Sequence, residues 1–252
     1  MGLAEIATVL SKHLNIKPAD EKWLNRDRLV FSGGHATGLV YSLLHLWGFD
    51  VSVNDMKNFR QSGSKTPGHP EYGHTHGIEI TTGPLGQGIA NAVGFAMAGK
   101  YAQNLLGKDV INHKVYCLCG DGDLQEGISY EATATAGHLK LDNLVIIYDS
   151  NSITIEGDTS IAWSENVKKR FQAIDFEVIE IDGHNFDQID KAFVQAKNST
   201  MPVLIIAKTV IAKGAVTLEG SHHSHGAPLG VDEIKEAKIK AGFNPDVDFE
   251  VS

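Results

Sequence analysis

Five apolar residues, Val115-Tyr116-Cys117-Leu118-Cys119, run directly into Gly120-Asp121-Gly122. Both alternating faces of the run are apolar, which predicts a strand covered by helices on each side, as in a parallel sheet. The two glycines predict a sharp, close-lying turn, and Glu126 to Lys140 predicts the helix that returns to the sheet. Ligands of open α/β sheets sit beyond the carboxyl ends of the strands, so Asp121 stands where a bound group would lie.

The next apolar run, Leu144 to Tyr148, predicts the neighbouring strand and ends in Asp149-Ser150-Asn151-Ser152-Ile153. Asp121 and Asn151 should therefore emerge on one edge. A carboxylate, an amide oxygen and backbone carbonyls form a hard, all-oxygen set that suits Mg2+ or Ca2+ better than zinc or copper. Since Mg2+ shares its remaining positions with water and phosphate oxygens, the physical reading is a metal-bridged diphosphate. Asp121-Gly122 and Asn151 are also ordinary turn residues, and a lone Gly-Asp-Gly would be read as a turn. Asn151, thirty residues on and beyond another strand, favours the metal.

The 252 residues have ordinary composition and could form one large α/β domain or at most two. A net charge of −9 argues against nucleic acid or an anionic membrane as the main partner. Cys117 and Cys119 face the same side of a strand and read as reduced core thiols, which fits a cytoplasmic protein. No stretch approaches the length of a membrane span. Helical spacing appears over Leu3 to Leu14, Ala36 to Trp47, Asn54 to Gln61, Ile89 to Leu106, Asn166 to Ala173 and Phe186 to Lys197. Further strands are expected at Leu29-Val30-Phe31, Ile153 to Glu156, Glu177 to Ile181 and Val203 to Lys208, completing an alternating α/β series.

Several histidines sit in loops. Glycines precede His35, and His69 lies between Gly68 and Pro70 in the long loop from Ser62 to Thr82, a length usually kept for function. His74-Thr75-His76 and the run His222-His223-Ser224-His225 could each suggest a transition metal, but two or three histidines alone are a weak signal. Proton transfer is a better use of a group that titrates near neutrality.

Gly120-Asp121-Gly122 followed by Asn151 resembles the thiamine diphosphate motif of several enzyme families, and the remaining text resembles transketolase. The matching segments are Trp23 to Arg28, Phe31 to His35, Ser64 to Glu71, Thr81 to Gly88, and Gly220 to Leu229, in the family's order. The resemblance implies a thiamine diphosphate-binding fold and reversible transfer of a two-carbon ketol unit between ketose and aldose phosphates, in the pentose phosphate pathway. It makes His69 and His222 the catalytic histidines and also places both against the cofactor. His35 then touches the diphosphate. Gly83, Pro84 and Leu85 wall the cofactor rings, and Ile155 meets the thiazolium. Asp121, Asn151 and the Ile153 carbonyl hold the metal, with Gly122 alongside. Glu126 lies near a glutamate supplied across the interface by the partner's pyrimidine-binding domain.

By the same resemblance the chain opens and closes inside the family's first domain. An early active-site histidine turn and the pyrimidine-binding and C-terminal domains are expected to be missing. The chain alone is then expected to be inactive. A homodimer is expected, because the helices near Gly86 to Leu106 and Glu126 to Leu139 resemble the family's interface. Two other readings stand beside it: one subunit of a split transketolase, active with a separate pyrimidine-domain partner, or a noncatalytic assembly or regulatory domain.

Overall fold

The computed structural model describes residues 1–249. The chain runs through helix α1 (Ala4–His13), strand β1 (Arg28–Phe31), helices α2 (Thr37–Trp47), α3 (Val53–Lys57) and α4 (Gln87–Leu106), then strand β2 (Val115–Gly120). Helices α5 (Asp121–Gln125) and α6 (Gly127–His138) lead to β3 (Leu144–Ser150) and a small hairpin, β4 (Ile153–Thr154) and β5 (Gly157–Asp158). Helix α7 (Val167–Ala173), β6 (Glu177–Asp182), α8 (Phe186–Asn198), β7 (Val203–Lys208) and α9 (Val231–Lys240) complete it.

Five strands pair in parallel in the order β1-β2-β3-β7-β6. Alternation along each strand feeds two separate cores. Tyr116, Leu118, Val145, Ile147, Val203 and Ile205 pack with α1, α2 and α8, whereas Cys117, Cys119, Ile146, Leu204 and Ile206 pack with α4 and α7. Both cysteines are buried, unbridged and on one face, as expected. Burial pushes both thiols well above their usual range, so they behave as apolar filling.

Four expectations change, and one helix was not foreseen. Gly120 and Gly122 do not make a glycine-only turn: Gly120 is extended, with φ −114° and ψ −175°, and Gly122 lies inside the short helix α5, which begins at Asp121 itself. The returning helix breaks at Glu126, whose ψ of 139° is extended, so α6 starts at Gly127. Helix α3 is shorter than the spacing suggests. Ser52 and Asp55 cap its start reciprocally, but Arg60 turns left-handed (φ 63°) to donate its amide to the Thr66 carbonyl at 2.9 Å, which ends the segment. The run from Ile153 to Glu156 is strand only at Ile153–Thr154, with Ile155 and Glu156 at the tip of the hairpin. Helix α9, absent from the sequence reading, buries no residue and is tethered by Glu233, which accepts from the Thr217 amide (2.7 Å) and hydroxyl (2.8 Å).

Candidate cofactor and metal site

The carboxyl ends of β1, β2 and β3 open onto one edge, and the loops that follow them carry most of the residues singled out above. Beyond β1, Gly34 lies so close to the loop opposite that an added Cβ would stand 2.8 Å from the Gly83 Cα and 2.8 Å from the His69 ring. Only glycine lets the chain beside His35 lie against both the Gly83 backbone and the His69 ring here. His69 is held from behind: the Tyr41 hydroxyl donates to the Pro67 carbonyl at 2.7 Å, and the Thr37 hydroxyl donates to the Gly68 carbonyl at 3.2 Å. Burial pushes that tyrosine up to about 12, so it stays a donor at neutral pH.

Leu85 extends over α5, with its side chain 3.0 Å from where a Gly122 Cβ would sit. The next residue, Gly86, is left-handed (φ 76°), and a Cβ there would meet the Glu126 Cβ at 2.7 Å. The exposed side chains of His35, His69, Pro84, Leu85, Glu126 and Ile155 therefore rim the opening. Ile155 is 69% exposed at the hairpin tip, so no described residue covers its apolar side chain.

Below this rim lie two carboxyls, the buried Asp121 and the half-buried Asp149. One Asp121 oxygen accepts a hydrogen bond from the Tyr148 hydroxyl, while Oδ2 is buried without a partner. Burial raises this carboxyl to about 6, and Asp149 adds to the rise; the Tyr148 hydroxyl and the nearby Asp121 and Ser152 amides pull the other way. Asp149 is also raised, mainly by burial, and is eased by the Thr209 hydroxyl and by the Asn151 side-chain amide at 3.2 Å. Asn151 turns its own oxygen to the Ile153 amide at 2.9 Å, which fixes the start of the hairpin and leaves a second lone pair. A buried carboxylate oxygen with no donor, next to a second carboxylate, is what a hard cation would compensate. In this respect the residues would suit a divalent metal.

The histidines divide. The loop from Gly220 brings His225 to His35, with ring centroids 5.0 Å apart, and burial followed by the His35 charge lowers its pKa. His222 packs instead against His223, with ring centroids 4.1 Å apart and planes tilted by 37°. His74 and His76 diverge, His74 to the Ser64 carbonyl (2.8 Å) and His76 to Glu21 (3.4 Å). Among the described residues no group of three or more His, Cys, Asp or Glu side chains converges on a metal. His45 is structural, with Nδ1 2.7 Å from the Val51 carbonyl, and His184 accepts from the Val210 amide at 2.9 Å. The sequence reading missed Asp123. This residue is fully buried and receives three donors from three different loops.

The family profile described as "Transketolase, thiamine diphosphate binding domain" matches residues 1–252. The chain is 52% identical over 244 residues to the transketolase of Geobacillus stearothermophilus, covering 94% of this chain and 36% of that protein. It is 49% identical over 257 residues to the transketolase of Bacillus subtilis, covering 100% of this chain and 38% of the relative. The crystal structure of transketolase from Campylobacter jejuni superposes with a TM-score of 0.98 at 66% identity, covering 100% of this chain and 40% of the other. Transketolase from Leishmania mexicana gives 0.98 at 41% identity, over 100% of this chain and 38% of its own. The chain thus spans well under half the length of these relatives. No helix among the described residues is long and apolar enough to cross a membrane.

Proposed function

Because the chain belongs to the transketolase family, through its thiamine diphosphate binding domain, we propose that it holds the diphosphate of thiamine diphosphate through a divalent cation at the carboxyl ends of β1, β2 and β3. The observation that carries this reading is the buried, partnerless Asp121 Oδ2 beneath a rim that is part apolar and part histidine. Asp121 supplies the charged ligand, while Asn151 and the Ile153 carbonyl supply neutral oxygens. When bound, the cofactor supplies a carbanion-stabilising centre, and the chain's own residues position it. Pro84, Leu85 and Ile155 shield its rings from water, Gly83 and Gly122 let backbone approach, and His35 and His69 stand beside its phosphates. A proton at the substrate end would pass through a histidine of the 222–225 segment.

In the longer relatives this site would serve ketol transfer between sugar phosphates. The proposal extends to this chain as the half that binds diphosphate, completed by a pyrimidine-binding domain and by a second copy. Glu126 is exposed at the break between α5 and α6, free to meet a glutamate across such an interface. The apolar surface left on α4 and at the end of α6, including Met97, Tyr101, Leu105 and Leu139, supports dimerisation. Each relative quoted above is named a transketolase, which does not favour a split-subunit or noncatalytic role.

Calorimetric titration with thiamine diphosphate, with and without Mg2+, tests the reading. Saturable binding that requires the metal is expected, and no binding under either condition would overturn it. Ketol transfer should appear only after a pyrimidine-domain polypeptide is added, and turnover by the purified chain alone would refute the division of labour.

A further inference from the structure

We propose that Asp123 is a positioning residue that clamps three cofactor-facing loops into one register, so that its loss lowers thiamine diphosphate affinity without unfolding the domain. The cofactor half of this inference rests on the function proposed above. The Asp123 carboxylate has no exposed surface, and among the described residues no cation pairs with it. One oxygen accepts from the Ser32 hydroxyl at 2.7 Å and from the Gly86 amide at 2.8 Å, and the other accepts from the Gly120 amide at 2.9 Å. The Asp123 carbonyl also accepts from the Ser129 hydroxyl at 2.5 Å, which ties the clamp to α6.

Each donor stands beside a different part of the site. Ser32 precedes the Gly33-Gly34-His35 turn, Gly86 follows Leu85, and Gly120 precedes Asp121. Ser32 passes the constraint on, since its Oγ also accepts from the Ile89 amide at 3.3 Å at the start of α4. A residue that only filled volume would not need three directed acceptor bonds. A buried carboxylate satisfied entirely by neutral donors specifies their relative positions, because moving any loop leaves a buried polar group without a partner. Asparagine has the same shape, but its NH2 would face either the Gly120 amide or the Ser32 and Gly86 donors, donor against donor.

The test compares Asp123→Asn, Ser32→Ala and a control, Phe193→Leu, which alters the core under α8 on the other face of the sheet. Two quantities are measured on the whole chain: amide hydrogen exchange at Gly86 and Gly120 without ligand, and thiamine diphosphate affinity with Mg2+. In Asp123→Asn the amide left facing the NH2, Gly86 or Gly120, should exchange about tenfold faster or more relative to β3, and affinity should fall by a similar factor. Ser32→Ala should move both readouts in the same direction by less. Phe193→Leu should lower the melting temperature and move neither. Unchanged exchange at both amides, or faster exchange with wild-type affinity, overturns the proposal. If Asp123→Asn does not fold, Ser32→Ala decides by the same two readouts. If the wild-type chain itself binds no thiamine diphosphate, the proposed function fails and the cofactor role of Asp123 falls with it, while exchange still decides whether the clamp exists.

Discussion

The two ends of the sheet treat buried polar groups differently. At the amino end, Asp27 is enclosed, but one oxygen accepts from the Asn15 amide (2.8 Å) and the other from the Lys114 amide (2.7 Å). The Lys114 ammonium in turn donates to the Asp142 carbonyl at 2.6 Å and the Ala196 carbonyl at 3.4 Å, which offsets the unsatisfied end of α8. The buried atoms left without partners there, among them His113 Nδ1, Tyr116 Oη and Asn143 Oδ1, belong to groups that are neutral at pH 7. At the carboxyl end Thr82 Oγ1 is without a partner and Glu5 Oε2 and His184 Nδ1 face each other at 3.3 Å, whereas the partnerless Asp121 Oδ2 is a carboxylate oxygen with a second raised carboxyl, Asp149, nearby. A neutral orphan costs stability and implies little else. An ionisable orphan is expensive unless something binds it, and that contrast locates the site better than the shape of the surface does.

The largest expected effect tests the carboxyl end. Asp121→Ala should weaken Mg2+-dependent thiamine diphosphate binding by roughly a hundredfold or more, since even residues that only support a metal ligand are worth 10–100-fold. The stability of the ligand-free chain should change by no more than about 1 kcal/mol, because the loss of the Tyr148 hydrogen bond is offset by removal of the partnerless oxygen. His74→Ala, whose ring is engaged by the Ser64 carbonyl, serves as a control with unchanged affinity. Equal affinities for wild type and Asp121→Ala, with both folded, would remove the metal assignment.

A smaller effect is expected at the amino end. Burial, and then the charges of Arg28 and Arg26, lower His113 from 6.5 to about 4. Between those values the unfolded chain takes up a proton that the folded chain refuses, so stability is intact above pH 6.5 and falls as pH drops towards 4. The loss can reach about 3 kcal/mol. His113→Gln should flatten this dependence, as read from urea midpoints at pH 7 and 4.5. An identical pH slope in both proteins would show that another group governs acid sensitivity.

Much of this contrast was legible before any coordinates. The strands declared themselves because apolar runs buried on both faces leave little alternative, and Asp121 and Asn151 could be placed on one edge from the strand ends alone. Asp123 was hidden because its partners Ser32 and Gly86 lie 91 and 37 residues away, so nothing local distinguishes it from any aspartate near a turn. The break at Glu126 was equally silent. It lies where Gly86 comes so close that a Cβ on it would stand 2.7 Å from the Glu126 Cβ, an approach of two loops and not a property of either. Helix α9 escaped because it buries no residue and so carries a weak apolar stripe.

The smallest predicted effect concerns the choice among histidines at the rim. The segment His222-His223-Ser224 forms a single tight turn, with the Ser221 hydroxyl accepting the His223 amide at 3.3 Å, and residues three apart leave such a turn in related directions. Spacing alone therefore does not say whether His222 or His225 faces the site. Both rings are half-buried but their partners differ: His225 lies against His35, whereas His222 lies against His223 in the same segment. Replacing His225 with alanine should remove a partly desolvated ring that supports His35 and weaken Mg2+-dependent binding by about fivefold, close to 1 kcal/mol. His222→Ala should change binding by less than about twofold, because its neighbour is another loop histidine and its removal leaves His35 and Asp149 as they were. The His35 imidazole provides a second readout. Its ring proton resonances, followed by NMR at one pH, should move in His225→Ala, since the ring 5.0 Å away is gone, and stay in place in His222→Ala. The reverse order in both affinity and chemical shift would return the role to His222.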